Sequence, residues 1–389
     1  MDQAVLENSP VGQLVPISGR DPRFGEQYSC WAFLPDPLPA SVDLSNAAWA
    51  AALRAAAALA RADEAASRLP NPWLVARPAI RREAVATSAL EGTFAALTDV
   101  LEAEYADEHE LPASVREVRN YVVAAEHGVQ AVRERPISLG LIRDLQRTLV
   151  TGTPSDGPNA GQVRSTQVFI GAGDSRVTHA RFVPPPPGDQ LQSGLDDWLR
   201  WMRESELPVV LRAALGHYQF ETLHPFTDGN GRVGRLLATL QLIEAGELRH
   251  PVVNLSPWFE RHRRKYQDSL FEVSRSGDFS AWAQFFCTAL ADQAAEAVST
   301  ITQLTALRDS FVATLRAHGV RSVALPIAEE LIGFPILSVR DVATRHDVSF
   351  QTANAAVARL CDLGIMRQLS KGRYDRLFVC QAVIDIVQR

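Results

Sequence analysis

Cysteine is scarce and scattered: four in 389 residues, Cys30, Cys287, Cys361 and Cys380, with no C-x-x-C spacing. That leaves no disulfide scaffold and no ligand set for structural zinc, so the four read as small buried hydrophobes in a reducing compartment. Net positive charge is missing too. With a formal charge of -6 and a pI near 5.9, the chain has no global electrostatic footprint for nucleic acid, and any such contact has to be local. The first twenty residues carry Asp2 and Glu7 and no apolar core, so no signal peptide is expected. The alanine-rich run 47–60 is interrupted by Arg54 and is too light in apolar bulk to span a membrane. A cytoplasmic protein without membrane contact is expected, long enough for two or three domains and a well-buried core.

Chemistry is concentrated in one place. His224-Pro225-Phe226-Thr227-Asp228-Gly229-Asn230-Gly231-Arg232-Val233-Gly234-Arg235 packs an imidazole, a carboxylate, a glycine-rich turn and two arginines into twelve residues. Upstream, Val209 to Leu223 predicts a helix, with Leu211, Leu215, Tyr218 and Thr222 on one face. Pro225 disfavours α geometry for the residue before it, which ends that helix at His224. A second helix is predicted from Arg232 to Gly246. Gly229, Asn230 and Gly231 open it, with backbone N–H groups free to face an anion. Arg232 and Arg235 share a face in its first turn, where each cation opposes the macrodipole at about 0.3–1 kcal/mol, an arrangement that suits a bound phosphate. Asp228 is a hard oxygen ligand of the kind that holds Mg2+ beside nucleotide phosphates, and His224 can take a proton from a hydroxyl. Taken singly, each residue has a plainer reading as a satisfied loop histidine, ordinary turn chemistry or a solvated arginine. Their combination argues for chemistry.

The stretch resembles the signature of the Fic-domain family, HPFx[DE]GNGRxxR, and matches it at every fixed position. Members typically transfer AMP from ATP to a Ser, Thr or Tyr hydroxyl of a protein. The resemblance implies that His224 is the general base and Asp228 the magnesium ligand. It makes Gly229, Asn230 and Gly231 the anion hole for the α- and β-phosphates, Arg232 the β-phosphate ligand and Arg235 the γ-phosphate ligand. Gly231 stands where the kinase-like branch of the family carries lysine, which favours nucleotidyl transfer over phosphorylation.

Thr87-Ser88-Ala89-Leu90-Glu91-Gly92, at the end of a helix predicted from Pro78, resembles the family's inhibitory motif [ST]xxxE[GN]. Thr87 and Glu91 are one turn apart, and Gly92 suits the left-handed position after a helix. Glu91 is disfavoured by the negative end of that helix and needs a cation elsewhere. In the family that cation is the second arginine of the signature, here Arg235. Such a pair would occupy the γ-phosphate site and leave the resting enzyme slow.

Residues 1–40 are read as an extended arm in which Trp31 and Phe33 tuck against the body. A helix capped by Asp43 runs to Ser67, helices follow over Val115–Glu134 and Ser138–Leu149, and Ser256 to Arg275 and Phe279 to His318 complete a bundle. Val163 to Ile170 and Arg181 to Val183 predict a hairpin, which the resemblance identifies as the flap that aligns a target by strand addition; on pattern alone a plain surface hairpin fits as well. Tyr266 falls where family members place an aromatic near the adenine, although Gln267 stands where a second tyrosine is common. From Val320, a strand, a helix (Val339–His346), a turn, a second helix (Gln351–Leu363) and two runs bracketing Lys371 to Asp375 resemble a winged helix. Its second helix would carry Gln351, Thr352, Asn354 and Arg359 to a major groove. Residues 321–389 hold nine Lys+Arg and seven Asp+Glu, 9 − 7 = +2, a thin footprint, so DNA and protein partners fit equally.

The expectation is therefore a mostly α protein: a Fic-type helical bundle with a β-hairpin flap and a C-terminal winged helix. The N-terminal inhibitory region spans 1–112, the catalytic domain 113–319 and the winged helix 320–389. It would be a protein adenylyltransferase using ATP and Mg2+ on a target protein and on itself, assembled as a homo-oligomer, a dimer. Removal of AMP at the same site, or a DNA-binding regulator whose Fic domain senses nucleotide, are the alternatives.

Overall fold

The computed structural model describes residues 3–21, 25–107, 110–171, 179–369 and 376–389. A short helix α1 (Gln3–Leu6) precedes an antiparallel pair, β1 (Gly12–Arg20) and β2 (Gln27–Pro35), in register from Gly12 opposite Pro35 to Arg20 opposite Gln27. The expected extended arm is thus a hairpin. Pro16 inside β1 breaks the strand pattern in sequence, but β1 is an edge strand that pairs on one side only, where a missing N–H is tolerated. Phe33 is buried against Leu6 and Phe182, while Trp31 stays 36% exposed.

Helices then dominate: α2 (Asn46–Ser67), α3 (Trp73–Leu90), α4 (Leu97–Glu102), α5 (Ala113–Glu134), α6 (Leu139–Val150), α7 (Asp189–Glu204), α8 (Val209–Leu223), α9 (Asn230–Glu244), α10 (Ser256–Arg261), α11 (Arg263–Ser276) and α12 (Phe279–Ala317). Ser45, rather than Asp43, caps α2 by accepting from the Ala48 N–H. Ala48, Ala51, Ala55, Ala58 and Ala62 recur on the buried face of α2, and small side chains let it lie close along the 39-residue α12. Pro78 falls inside α3, which begins five residues earlier at Trp73. The helix expected over 256–275 is two, broken at His262 with φ −116° and ψ 27°. α8 and α9 bury residues all around their circumference, so they form the centre of the bundle rather than one of its faces. The loop between them is held from every side.

The expected flap pairs at a single position. Ile170 and Phe182 form an antiparallel bridge, with Ile170 N donating to Phe182 O at 2.9 Å. Gly173 and Asp174 of its turn lie outside the described residues. The Val183 carbonyl is taken by Phe33 N at 2.8 Å, and Pro184 to Pro187 have no N–H to donate, so longer pairing is closed off on the C-terminal side. The β1–β2 hairpin is in effect the platform of the flap.

At the C-terminus stand α13 (Ala324–Glu330), β3 (Ile336–Ser338), α14 (Val339–Arg345), α15 (Phe350–Asp362), β4 (Arg367–Gln368), β5 (Leu377–Val379) and α16 (Gln381–Val387). The strands form a sheet of order β3-β5-β4, and the expected tip, Lys371 to Asp375, lies outside the described residues. This module leans on α3. The Arg77 guanidinium sits 4.3 Å from the Phe334 ring centroid, and the Tyr105 hydroxyl donates to Ile336 O at 2.8 Å. One continuous apolar core runs from Leu38 to Val387. No helix of the described residues is long and apolar enough to cross a membrane, and all four cysteines are free.

The α2–α12 seam yields a stability prediction. Leu59 is fully buried and Leu53, on the same helix, is 71% exposed. In urea unfolding, Leu59→Ala is expected to cost about 2–5 kcal/mol, and Leu53→Ala to change stability by no more than about 0.5 kcal/mol. Equal losses would mean that this seam is not where α2 is anchored.

Candidate active site

The α8 helix ends where Pro225 requires it to. His224 is its C-cap, in the left-handed region at φ 50° and ψ 62°, a conformation that costs a non-glycine residue about 1–3 kcal/mol. The imidazole is half-buried. Its Nδ1 lies 3.2 Å from Glu221 O; a carbonyl can only accept, so Nδ1 carries the proton and Nε2 is left as the base. Burial first, and the Arg164 cation second, push the ring down to about 4. The imidazole is therefore neutral at physiological pH, the state in which it can accept a proton.

Beyond it the chain turns through Gly229 at φ 81° into α9. The helix starts at Asn230, two residues before the position expected from sequence, so Asn230 and Gly231 are its first turn. The N–H groups of Asn230 and Gly231 have no acceptor within the helix, whereas Gly229 N donates to Asp228 Oδ1 at 2.7 Å. The Asn230 side chain does not face the opening: it accepts from Phe226 N at 2.8 Å and donates to Phe226 O at 2.9 Å, bracing the loop. Gln146 Nε2 adds a bond to Asp228 O at 3.1 Å. An anion here would meet backbone, held rigid by side chains beneath it.

The two arginines differ. Arg232 is turned to Glu117 at 3.2 Å and to Asp228 at 3.4 Å. Arg235, 2% exposed, donates from Nε to Thr87 Oγ1 at 2.7 Å, from Nη2 to Thr87 O at 3.1 Å, and to Glu91 Oε1 at 2.5 Å. The expected pair of Glu91 and Arg235 is thus assembled across 144 residues, and Thr87 joins it as a further partner of the guanidinium. Burial opposes the charge of Arg235, but Glu91, with Tyr266 and Glu221, outweighs it and holds the guanidinium above its ordinary range. Glu91 is the C-cap of α3 and Gly92 follows at φ 91°, the left-handed exit the sequence anticipates. Arg263 Nη2 donates to Leu90 O at 2.8 Å and offsets the negative end of that helix. A Cβ on Gly231 would run into Glu91 Oε1 and lie 2.8 Å from Arg235 Nη1, so the absent side chain is what lets the carboxylate sit over the turn.

Glu91, His224, Gly231 and Arg235 share one cleft of about 660 Å³, lined also by Arg263, Tyr266 and, from the flap, Ile170 and Phe182, whereas Arg232 and Thr87 are not among its lining residues. Asp228 stands at the side, its carboxylate 44% exposed. Tyr266 reaches only the inner wall: its hydroxyl bonds His217 Nε2 at 2.8 Å and its ring stacks on Phe259 at 4.5 Å. Three residues at the site carry no signal in the motif. Glu117 pairs with Arg232; Arg164 contacts the His224 loop; and Glu221 is pushed up to about 7 by burial, which outweighs the pull of Arg235. Neither Glu221 nor Arg164 stands out in sequence, since both have polar neighbours in the chain.

A sequence model described as "Fic/DOC family" matches residues 136–242, and one described as "Fic/DOC family N-terminal" matches residues 49–130. Among curated proteins, the chain is similar to "Protein adenylyltransferase Fic" of Culex quinquefasciatus, 36% identical over 137 residues that cover 34% of this chain and 24% of that one. The protein of the same name from Drosophila willistoni is 34% identical over 161 residues, covering 40% and 29%. The chain thus spans under a third of the length of these relatives. Among solved structures, a Fic family protein from Desulfovibrio desulfuricans G20 superposes with a TM-score of 0.57 at 21% identity, covering 87% of this chain and 97% of that one, which shows a shared fold.

The proton balance is testable. His224 is lowered to about 4 and His217 to about 3, burial being the main cause for both, whereas in an unfolded chain both titrate near 6.5. The unfolded chain therefore binds more protons between pH 6.5 and 4, and stability falls as pH drops through that window. In histidine NMR spectra, the resonance lost in His224→Ala is expected to titrate with a midpoint near pH 4. A midpoint near 6.5 would show that burial and Arg164 do not act on it.

Proposed function

We propose that this chain, a member of the Fic/DOC family, transfers the adenylyl group of ATP to a hydroxyl side chain of a target protein and of itself. The observation that carries this reading is that the His224 ring and the open N-terminus of α9 face one cleft. The name adenylyltransferase borne by the similar curated proteins supports it.

In this reading the α- and β-phosphates rest on the N–H groups of Gly229, Asn230 and Gly231, with Arg232 on the β-phosphate and Arg235 on the γ-phosphate. His224 Nε2 takes the proton of the target hydroxyl as its oxygen bonds to the α-phosphorus. The bond from that phosphorus to the bridging oxygen breaks, and pyrophosphate leaves. Asp228 would hold Mg2+, which when bound offsets phosphate charge. Its single half-exposed carboxylate suits an ion that keeps most of its waters and arrives with phosphates, and among the described residues no larger cluster of metal ligands stands nearby. Tyr266 would bound the nucleotide at the inner wall. The flap rim at Ile170 would present the target's backbone.

Glu91, Thr87 and Gly92 form the proposed brake. With Glu91 on Arg235 at 2.5 Å, the guanidinium is unavailable to a γ-phosphate, so ATP would seat poorly in the resting state. Residues 1–112, 113–319 and 320–389 are assigned to inhibition, catalysis and a winged helix. On α15, Gln351 and Thr352 are exposed, which supports recognition of DNA or of a partner protein, whereas Asn354 is engaged by Arg376 at 2.8 Å. Four free thiols support a reducing compartment, the cytoplasm.

Glu91→Gly, given ATP and Mg2+, is expected to gain adenylyl groups by intact-mass spectrometry about tenfold faster than the parent, a barrier change of about 1.4 kcal/mol. His224→Ala in the same background should lose about 10²–10⁴-fold in rate while still binding ATP. No gain with Glu91→Gly would remove the brake; unchanged labelling with His224→Ala would remove the base.

A further inference from the structure

Arg164 is an anomaly of burial. It is 2% exposed, yet its guanidinium is met by carbonyls: Nε donates to His224 O at 2.8 Å, Nη1 to Thr166 O at 3.2 Å, and Nη2 to Pro185 O at 2.6 Å and Leu223 O at 3.4 Å. Its backbone N–H donates to Pro225 O at 2.8 Å. A buried cation is costly unless its donors are satisfied and the local field is negative. Both conditions hold, because Leu223 and His224 are the carbonyl-bearing, negative end of α8.

We propose that Arg164 is the positioning residue of the His224 base: one guanidinium gathers the end of α8 and both sides of the flap base, fixing the imidazole towards the cleft. The inference rests on the reading of His224 as the base. Two facts of geometry carry it. His224 is in the left-handed region, which persists only where the surroundings over-determine it, and the described bonds that pin its carbonyl and that of Pro225 both come from Arg164. Thr166 and Pro185 flank the bridge Ile170–Phe182 on either side in sequence, so the same side chain ties the flap to the base.

The charge has a second effect. Arg164 faces His224 from the flap base, Glu91 from the end of α3, Asp228 from its own loop and Glu221 from the last turn of α8; Arg235, Arg263, Arg181 and Tyr266 line the same cleft. Arg164 disfavours the imidazolium while Glu91 and Asp228 favour it. Removing Arg164 should therefore raise the pH below which the base is lost.

The test uses the full chain with Glu91→Gly as parent, with Arg164→Met and Arg164→Lys added, and reads AMP transfer against pH and ATP concentration. Arg164→Met is expected to lose about 100-fold in kcat with little change in KM for ATP, and its acidic limb should move to higher pH than the parent's. Arg164→Lys, keeping charge but not the fork of donors, should lose kcat with the limb where the parent has it. A loss of kcat in Arg164→Met with the limb unmoved is what mere destabilisation produces, and overturns the proposal, as does parental activity in either variant. Should Arg164→Met not fold, Arg164→Lys decides: lost kcat at unchanged KM supports, parental kcat overturns. A parent that transfers no AMP would take down the reading of the site and this inference together. An active parent, silenced by His224→Ala but indifferent to Arg164, would sink this inference alone.

Discussion

The buried guanidinium of Arg235 is answered by a carboxylate, and the active end of this molecule is arranged around that pairing. Arg235 is sunk in the second turn of α9 with Thr87 and Glu91 as its described hydrogen-bond partners. Its depth makes the partner's charge count, since water cannot substitute for it. α3 is thereby locked to α9 at the point where, in the proposed reading, a nucleotide's terminal phosphate docks. The proposed inhibition and the proposed catalysis are two ways of answering the same electrostatic demand.

The second constraint lies across the cleft. Pro225 ends α8, the left-handed turn at His224 aims the imidazole, and Asn230, Gln146 and Arg164 spend their side chains on the loop's backbone. None of these three faces a substrate directly with its side chain, yet they leave the N–H groups of the turn and Nε2 of His224 with little freedom. Preorganisation of this kind means that donors need not be reoriented at the moment of reaction. The C-terminal module touches α3, which ends in Glu91, through Arg77 over Phe334, and the turn after α4 through Tyr105 on Ile336.

The helices and the site motif were readable because both are local. Three- and four-residue spacing marks α8, α5 and α6, and the twelve residues from His224 to Arg235 state their chemistry by adjacency. Where the reading failed, the cause was usually a partner distant in the chain. The arm expected over residues 1–40 hid β1, whose pairing depends on β2. The flap strands shrank to one bridge because Val183 is claimed by Phe33 and residues 164–167 by the His224 loop and Pro184–Pro185. The break at His262 follows no proline or glycine, and no account of it is apparent in the local sequence.

Sequence alone determined the chemistry on offer: an imidazole at a proline-ended helix, a glycine-rich helix start, two arginines a turn apart, and a Thr-Glu pair spaced to share a helix face. Those are matters of backbone sterics and periodicity, and they act over a few residues. Only the tertiary structure decided who meets whom. Glu91 finding Arg235, Glu117 finding Arg232, and Arg164 folding back onto His224 are contacts across 144, 115 and 60 residues. Buried charges select their partners by where packing leaves room for them, and packing is a property of the whole chain.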